Sequence, residues 1–188
     1  DLYNATLRLL RGASPHQALG IGERQEEARR LLRYFGLRQG IEDAFWKELD
    51  TVYFLRHDAE EIAWHTRALY HRPSPEQPVV KARLPHIGEE GLQVMIYTPD
   101  QPHLFARLCG FFSRLGYSIA EAKIHTTRHG YALDSFMLLN PDGTLAYRDM
   151  ISLIEHDLTA RLASGAAPEK AVSGRISPAW FMPTSSTA

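Results

Sequence analysis

The chain has one cysteine in 188 residues, Cys109, which excludes an internal disulfide and a cysteine-based zinc cluster and fits a reducing, cytoplasmic setting. It has no excess of charge of either sign. Twenty-one Lys and Arg stand against 22 Asp and Glu, a formal charge of −1, so nothing global attracts nucleic acid or an anionic membrane surface. No apolar run approaches the ~20 residues that span a bilayer, and no signal sequence opens the chain. No Gly-rich phosphate loop and no Ser/His/Asp set is present either, and Cys109 sits on the apolar phase of a helix, where packing rather than nucleophilic chemistry is expected. What is present is 44% hydrophobic content, enough for a buried core. The chain opens on Asp1 rather than methionine, which reads as a piece of a longer protein.

Residues 1–71 read as a helical connector. "EEARRLLRYFG" aligns Ala28, Leu31, Leu32 and Phe35 on one face and ends at Gly36, and "IEDAFWKELDTVYFL" repeats the pattern through Ile41, Phe45, Leu49 and Val52. Three prolines in "RPSPEQP" make residues 72–78 a linker. From Val79 the period changes. "VVKARL" and "LQVMIYTP" predict a β hairpin, and "DQPHLFARLCGFFSRLG" predicts a helix through Leu104, Leu108, Phe112 and Leu115 closed by Gly116. "YSIAEAKIHTT" and "YALDSFMLL" follow as strands, "NPDG" as a turn, and "DMISLIEHDLTARLAS" as a helix carrying Ile151, Ile154, Leu158 and Leu162. "RISPAWFMP" is a candidate for a last short strand. The fold class is therefore α+β: a helical segment, then a ferredoxin-like βαββαβ unit over residues 79–182, its antiparallel sheet carrying two helices on one face and an extra N-terminal hairpin strand, with 183–188 as a tail.

Three stretches carry candidate chemistry. In "YFLRHDAEEIAWHTRALYHR", His57, Glu61 and His65 recur at four-residue intervals, a spacing that could supply metal ligands. Against that, Asp58 followed by Glu61 three residues on is a capping-box pattern, and an Asp engaged in a cap is a poor ligand, so no metal is expected here. The second is "YTPDQPHLFARL", a strand feeding a helix N-terminus, whose free N–H groups favour a carboxylate; Asp100 and Gln101 could equally cap that helix. The third, "RHGYALDSF", partly matches the RNA-binding pattern of βαββαβ modules through His129, Gly130, Tyr131, Ala132 and Phe136. Leu133 stands where an aromatic should stack and Asp134 where an aliphatic should enter the core, so nucleic acid is not expected as a partner.

From Leu92 to about Leu162 the sequence resembles the ACT domain, a small ligand-binding module of amino-acid metabolism. The likeness rests on "DQPHLFARLCGFFSRLGYSIAEAKIHT" and "LDSFMLLNPDG", with His103 where many members have glycine. With "DTVYFLRHDAEEIAWHTRAL" ahead of it, the chain is similar to the late part of the bacterial bifunctional uridylyltransferases and uridylyl-removing enzymes, which modify the PII nitrogen-signalling protein. That resemblance implies a non-catalytic fragment with no cofactor of its own, the whole enzyme using Mg, and the hydrolase's metal-binding motif lying upstream. It further implies glutamine or a similar amino acid as effector, contacted by Asp100, Gln101, His103, Leu104, Tyr117, Ser118 and Ile119. The other partners it implies are PII, through the whole enzyme, and a second ACT domain or second copy of the chain.

Overall fold

The structure, a computed structural model, describes residues 15–140 and 146–165. The "NPDG" turn lies partly, and the "RISPAWFMP" strand wholly, outside them.

Helix α1 (Pro15–Tyr34) ends as its sequence predicts. Gly36 takes φ +81° and the Leu37 N–H reaches back to the Leu32 carbonyl at 3.0 Å, which closes the last turn. Phe35, expected on the apolar face, instead lies half exposed with the Arg67 guanidinium over its ring at 3.7 Å, because the helix has already ended before it. The second pattern, read as one helix, is two: α2 (Asp43–Trp46) and α3 (Thr51–Arg56). Asp50 breaks it by adopting extended backbone and accepting the Tyr53 N–H at 3.0 Å, an N-cap in the middle of the apolar period. Helix α4 (Ala59–Leu69) completes the helical layer.

Strands β1 (Val79–Arg83) and β2 (Leu92–Pro99) form the expected hairpin, in register from Val79 opposite Tyr97 to Arg83 opposite Gln93. Gly91 starts β2 at φ +133°, where a Cβ would meet the Leu138 carbonyl at 2.9 Å, so only glycine fits. Then come α5 (Leu104–Arg114), β3 (Ser118–Lys123), β4 (Tyr131–Leu139) and α6 (Tyr147–Ala163). The sheet order is β1-β2-β4-β3, antiparallel throughout. The hairpin strand β1 thus occupies the edge beside β2, the place that the closing strand of a split βαβ unit would take. Its backbone is partly covered there, since the Glu155 carboxylate of α6 accepts the Ala82 N–H at 2.9 Å.

The sheet is covered on both faces. Val94 and Ile96 of β2 and Ala132, Phe136 and Leu138 of β4 pack under Leu104, Leu108 and Phe112 of α5 and Ile154 and Leu158 of α6. The alternate residues, Met95, Tyr97 and Leu133, join Phe45, Tyr53, Ile62 and Leu69 of the helical layer. This explains why β2 reads as a continuous apolar run rather than an alternating one. The proline linker joins two layers that pack on each other: Tyr97 Oη donates to the Pro73 carbonyl, and His129 Nε2 lies 2.8 Å from the same oxygen.

Candidate functional site

At the seam between the helical layer and the sheet, the His-Asp stretch finds its place. The capping box forms: Asp58 Oδ1 accepts the Glu61 N–H at 2.8 Å and Glu61 Oε2 accepts the Asp58 N–H at 3.1 Å. Glu61 also holds the Lys123 ammonium of β3 at 2.8 and 2.9 Å. His65, fully buried, sits between Tyr53 Oη at 2.8 Å and Ser135 Oγ at 3.2 Å. His57 Nδ1 lies 2.9 Å from the Tyr53 carbonyl, and His125 Nδ1 lies 3.7 Å from Asp50 Oδ1. Burial pushes the pKa of His57, His65 and His125 down, furthest for the fully enclosed His65, and the neighbouring His57 ring adds to the shift of His65 and His125. These rings are neutral wedges that orient two layers, and among the described residues no group of three His, Cys, Asp or Glu converges as metal ligands.

The strand-to-helix turn is the other candidate, and it departs from the capping expectation. Neither Asp100 nor Gln101 caps α5. The N-cap position falls to His103, whose side chain makes no capping bond. Gln101 Oε1 is taken instead by Arg107 Nη1 at 2.7 Å, and the Asp100 backbone N–H is tied to the Gly130 carbonyl at 2.9 Å. His103 stands at φ 61°, ψ 17°, the one non-glycine residue with positive φ among those described. Its backbone therefore keeps the left-handed conformation that a glycine would supply, at a cost of roughly 1–2 kcal/mol. The Leu104 N–H donates to the Gln101 carbonyl at 3.3 Å and the Arg107 N–H to the His103 carbonyl at 3.0 Å. That leaves the N–H groups of Phe105 and Ala106 without an acceptor among the described residues. Two free donors at the positive end of an eleven-residue helix are suited to a carboxylate.

The effector residues inferred from the sequence fall into two groups. Asp100, Gln101, His103 and Leu104 surround this turn, with the Leu104 side chain buried in the core. Tyr117, Ser118 and Ile119 lie past the other end of α5. Pro99 is opposite Tyr131 and Ser118 opposite Leu139, so the length of β4, roughly 27 Å at about 3.4 Å per residue, separates the groups. Within one chain they cannot meet on one small molecule. Strand β3 is a sheet edge, so its backbone runs along a margin that a second module could meet; Ser118 is exposed there, while Ile119 packs against the inner core.

Two polar residues near the turn were not read as site residues from the sequence, Asp134 being noted only as an acid at a core position. Thr98 is fully buried, and its hydroxyl has no hydrogen-bond partner among the described residues. Asp134 is 2% exposed; desolvation, opposed by a long 3.4 Å hydrogen bond from the His125 N–H and aided by the Asp100 charge, pushes its carboxyl up to about 7. The available signal was phase: Thr98 continues the Val94, Ile96 face and Asp134 lies between Ala132 and Phe136, both positions where an apolar residue belongs.

An antiparallel sheet with α5 and α6 on one face and a tight turn leading into α5 is an ACT-like α+β fold, and residues 93–146 match the ACT domain family. Residues 16–68 match the family described as the fifth domain of the uridylyltransferase GlnD. The chain is homologous to part of the bifunctional uridylyltransferase/uridylyl-removing enzymes. It is 62% identical to the one from Aromatoleum aromaticum over 94% of its length. With those of Chromobacterium violaceum and Bordetella pertussis it shares 52% and 51% identity over 94% and 86% of its length. It spans about a fifth of each relative: 20%, 21% and 19%. No solved structure matches.

Proposed function

We propose that the chain is a regulatory, amino-acid-sensing part of a cytoplasmic enzyme that uridylylates and deuridylylates the PII protein, with glutamine as the effector. What carries this reading is the uncapped start of α5: the N–H groups of Phe105 and Ala106 stay free behind a turn that His103 holds in left-handed backbone. A strained, uncapped helix entry is a cost to the fold that a bound carboxylate offsets. The homology adds the setting, a bifunctional enzyme whose two opposed activities need a signal to choose between them. Glutamine shifts that choice only if it favours one arrangement of the domains over another.

Because the two groups of effector residues lie at opposite ends of β4, a complete site needs the turn of one module and the Tyr117–Ile119 edge of another. A monomer of this chain therefore binds glutamine weakly, and a dimer, or the chain joined to a second ACT module, binds it tightly. Calorimetric titration at concentrations where sedimentation shows monomer and dimer separately checks this. Tight binding by a strict monomer contradicts the shared site, and silence in both states contradicts glutamine sensing.

A docking role for the same domain has one observation in its favour. The outer face of the sheet is already committed to the helical layer through Lys123–Glu61 and Ser135–His65. The effector turn lies beyond the end of β2, away from those pairs, so docking and sensing use different parts of the sheet.

A further inference from the structure

We propose that Asp134 and Thr98 form the floor of the effector site, the Asp134 carboxylate taking the ammonium group of an amino acid whose own carboxylate lies on the free N–H groups of Phe105 and Ala106. This rests on the amino-acid-sensing reading of the α5 turn and specifies which chemical groups of the effector are read.

The placement follows from the register. Asp134 is opposite Ile96 on β2, and Thr98 is opposite Ala132, so the two polar side chains share the face that α5 covers and sit diagonally from each other. The turn that follows β2 carries Asp100 over this end of the sheet, close enough for its charge to act on Asp134. The Phe105 ring, 48% exposed, stacks at 6.1 Å on Phe136, two residues along the same face from Asp134. On the other side, continuing the Lys123–Ser135 register puts Ile124, 42% exposed, beside Asp134. The floor is thus polar and the flanking side chains are apolar and half exposed. The proposed binding requires Phe105 and Ile124 to give way, since Asp134 is 2% exposed.

Neither floor residue is well satisfied among the described residues. Among the described residues Thr98 Oγ1 has no partner, and the hydrogen bond that reaches Asp134 is the long one from the His125 backbone. A buried hydroxyl and a buried carboxyl without good partners each cost free energy that a ligand donor returns. The charged group that faces Asp134 is Asp100, of the same sign, while the His125 imidazole turns to the opposite face against Tyr53 and Asp50. The cation at this turn, Arg107, is already engaged by Gln101 Oε1 at 2.7 Å and by the Arg161 carbonyl at 3.2 Å, so the two acids beside two free N–H groups complement a zwitterion rather than a simple carboxylic acid. Binding an ammonium ionises Asp134 and releases its proton, so affinity rises as pH passes upward through about 7.

The test titrates the full 188-residue chain with L-glutamine and with its deaminated analogue, 4-carbamoylbutanoate, in the wild type, Asp134→Asn and Thr98→Val. The wild type is expected to bind glutamine about tenfold or more tightly than the analogue. Asp134→Asn is expected to lose that preference and to bind glutamine with no rise between pH 6 and 8, and Thr98→Val to weaken glutamine alone. If Asp134→Asn fails to fold, the analogue preference and Thr98→Val still decide. Wild-type affinity, preference and pH profile retained in Asp134→Asn, or equal binding of glutamine and its analogue by the wild type, overturns this assignment and leaves amino-acid sensing standing. No binding of glutamine by the wild type at dimer concentrations overturns both.

Discussion

The two faces of the sheet are packed by different chemistry. Under α5 and α6 the contacts are apolar almost throughout, with Phe112, Leu108, Ile96 and Ile154 at the centre and Asp134 and Thr98 as the polar exceptions at one end. Against the helical layer the apolar cluster around Phe45 and Leu69 is bordered by an ordered polar network, Tyr53–His65–Ser135 and Glu61–Lys123. Apolar packing is tolerant of substitution and sliding, whereas hydrogen-bonded and ionic partners fix one relative position. The inner face gives the domain its fold. The outer face sets how the helical layer is mounted on it, which is what a sensor needs if binding at α5 is to be felt elsewhere in the chain.

The largest effects separate the two faces by deletion. Phe112→Ala and Phe45→Ala each remove a fully buried ring and are expected to cost about 3–5 kcal/mol in urea unfolding. If the layers form one cooperative unit, both variants lower a single transition; two transitions, with only one moved by Phe45→Ala, would show that the layers unfold separately. Next, Lys123→Met strands the Glu61 carboxylate and is expected to cost about 3 kcal/mol, at the low end for a buried pair because Lys123 keeps some exposure. Adding Glu61→Gln, which preserves the capping box, should recover most of that loss.

Titration sharpens the contrast because the faces respond with opposite sign. His57, His65 and His125 have folded pKa values below the unfolded value of about 6.5, so the unfolded chain takes up more protons below it. Their contribution is complete above pH 6.5 and is lost as pH falls further. Asp134 has a folded value raised to about 7, so burying it ionised costs stability increasingly from pH 4 to 7. Asp134→Asn is therefore expected to raise the melting temperature at pH 7.5 and to steepen the acid-side loss left by the histidines. An unchanged pH–stability curve in this variant would mean that Asp134 is not buried in its ionisable form. The smallest effect is at the turn: His103→Gly removes left-handed strain but loosens the unfolded chain, a net gain of up to about 1 kcal/mol.

Much of this contrast was legible in the sequence. The change from helical period to β-rich runs at Val79, the Asp58–Glu61 capping box and the α5 amphipathy all follow from local rules, and local rules hold where neighbours in sequence decide the structure. Asp50 was legible too, as an N-cap residue, but the apolar period through Phe45, Leu49 and Val52 masked the break. The reading failed where partners come from far along the chain. Nothing near His65 announces Ser135, seventy residues on, and nothing near Asp100 announces Gly130, thirty residues on, whose carbonyl takes its N–H. The separation of Ser118 from the turn likewise depends on the pairing of both with β4, which only the sheet order reveals.

The most direct measurement is an NMR titration of the isotopically labelled dimer with L-glutamine, following the amides of Phe105 and Ala106 together with those of Ser118 and Ile119. Saturable shifts in both pairs, with Lys81 and Ala82 on the far edge strand unmoved, are expected if the α5 turn of one copy and the β3 edge of another hold the amino acid between them. Amides of Phe105 and Ala106 that stay fixed at saturating glutamine would contradict the central claim that the uncapped start of α5 is the effector site.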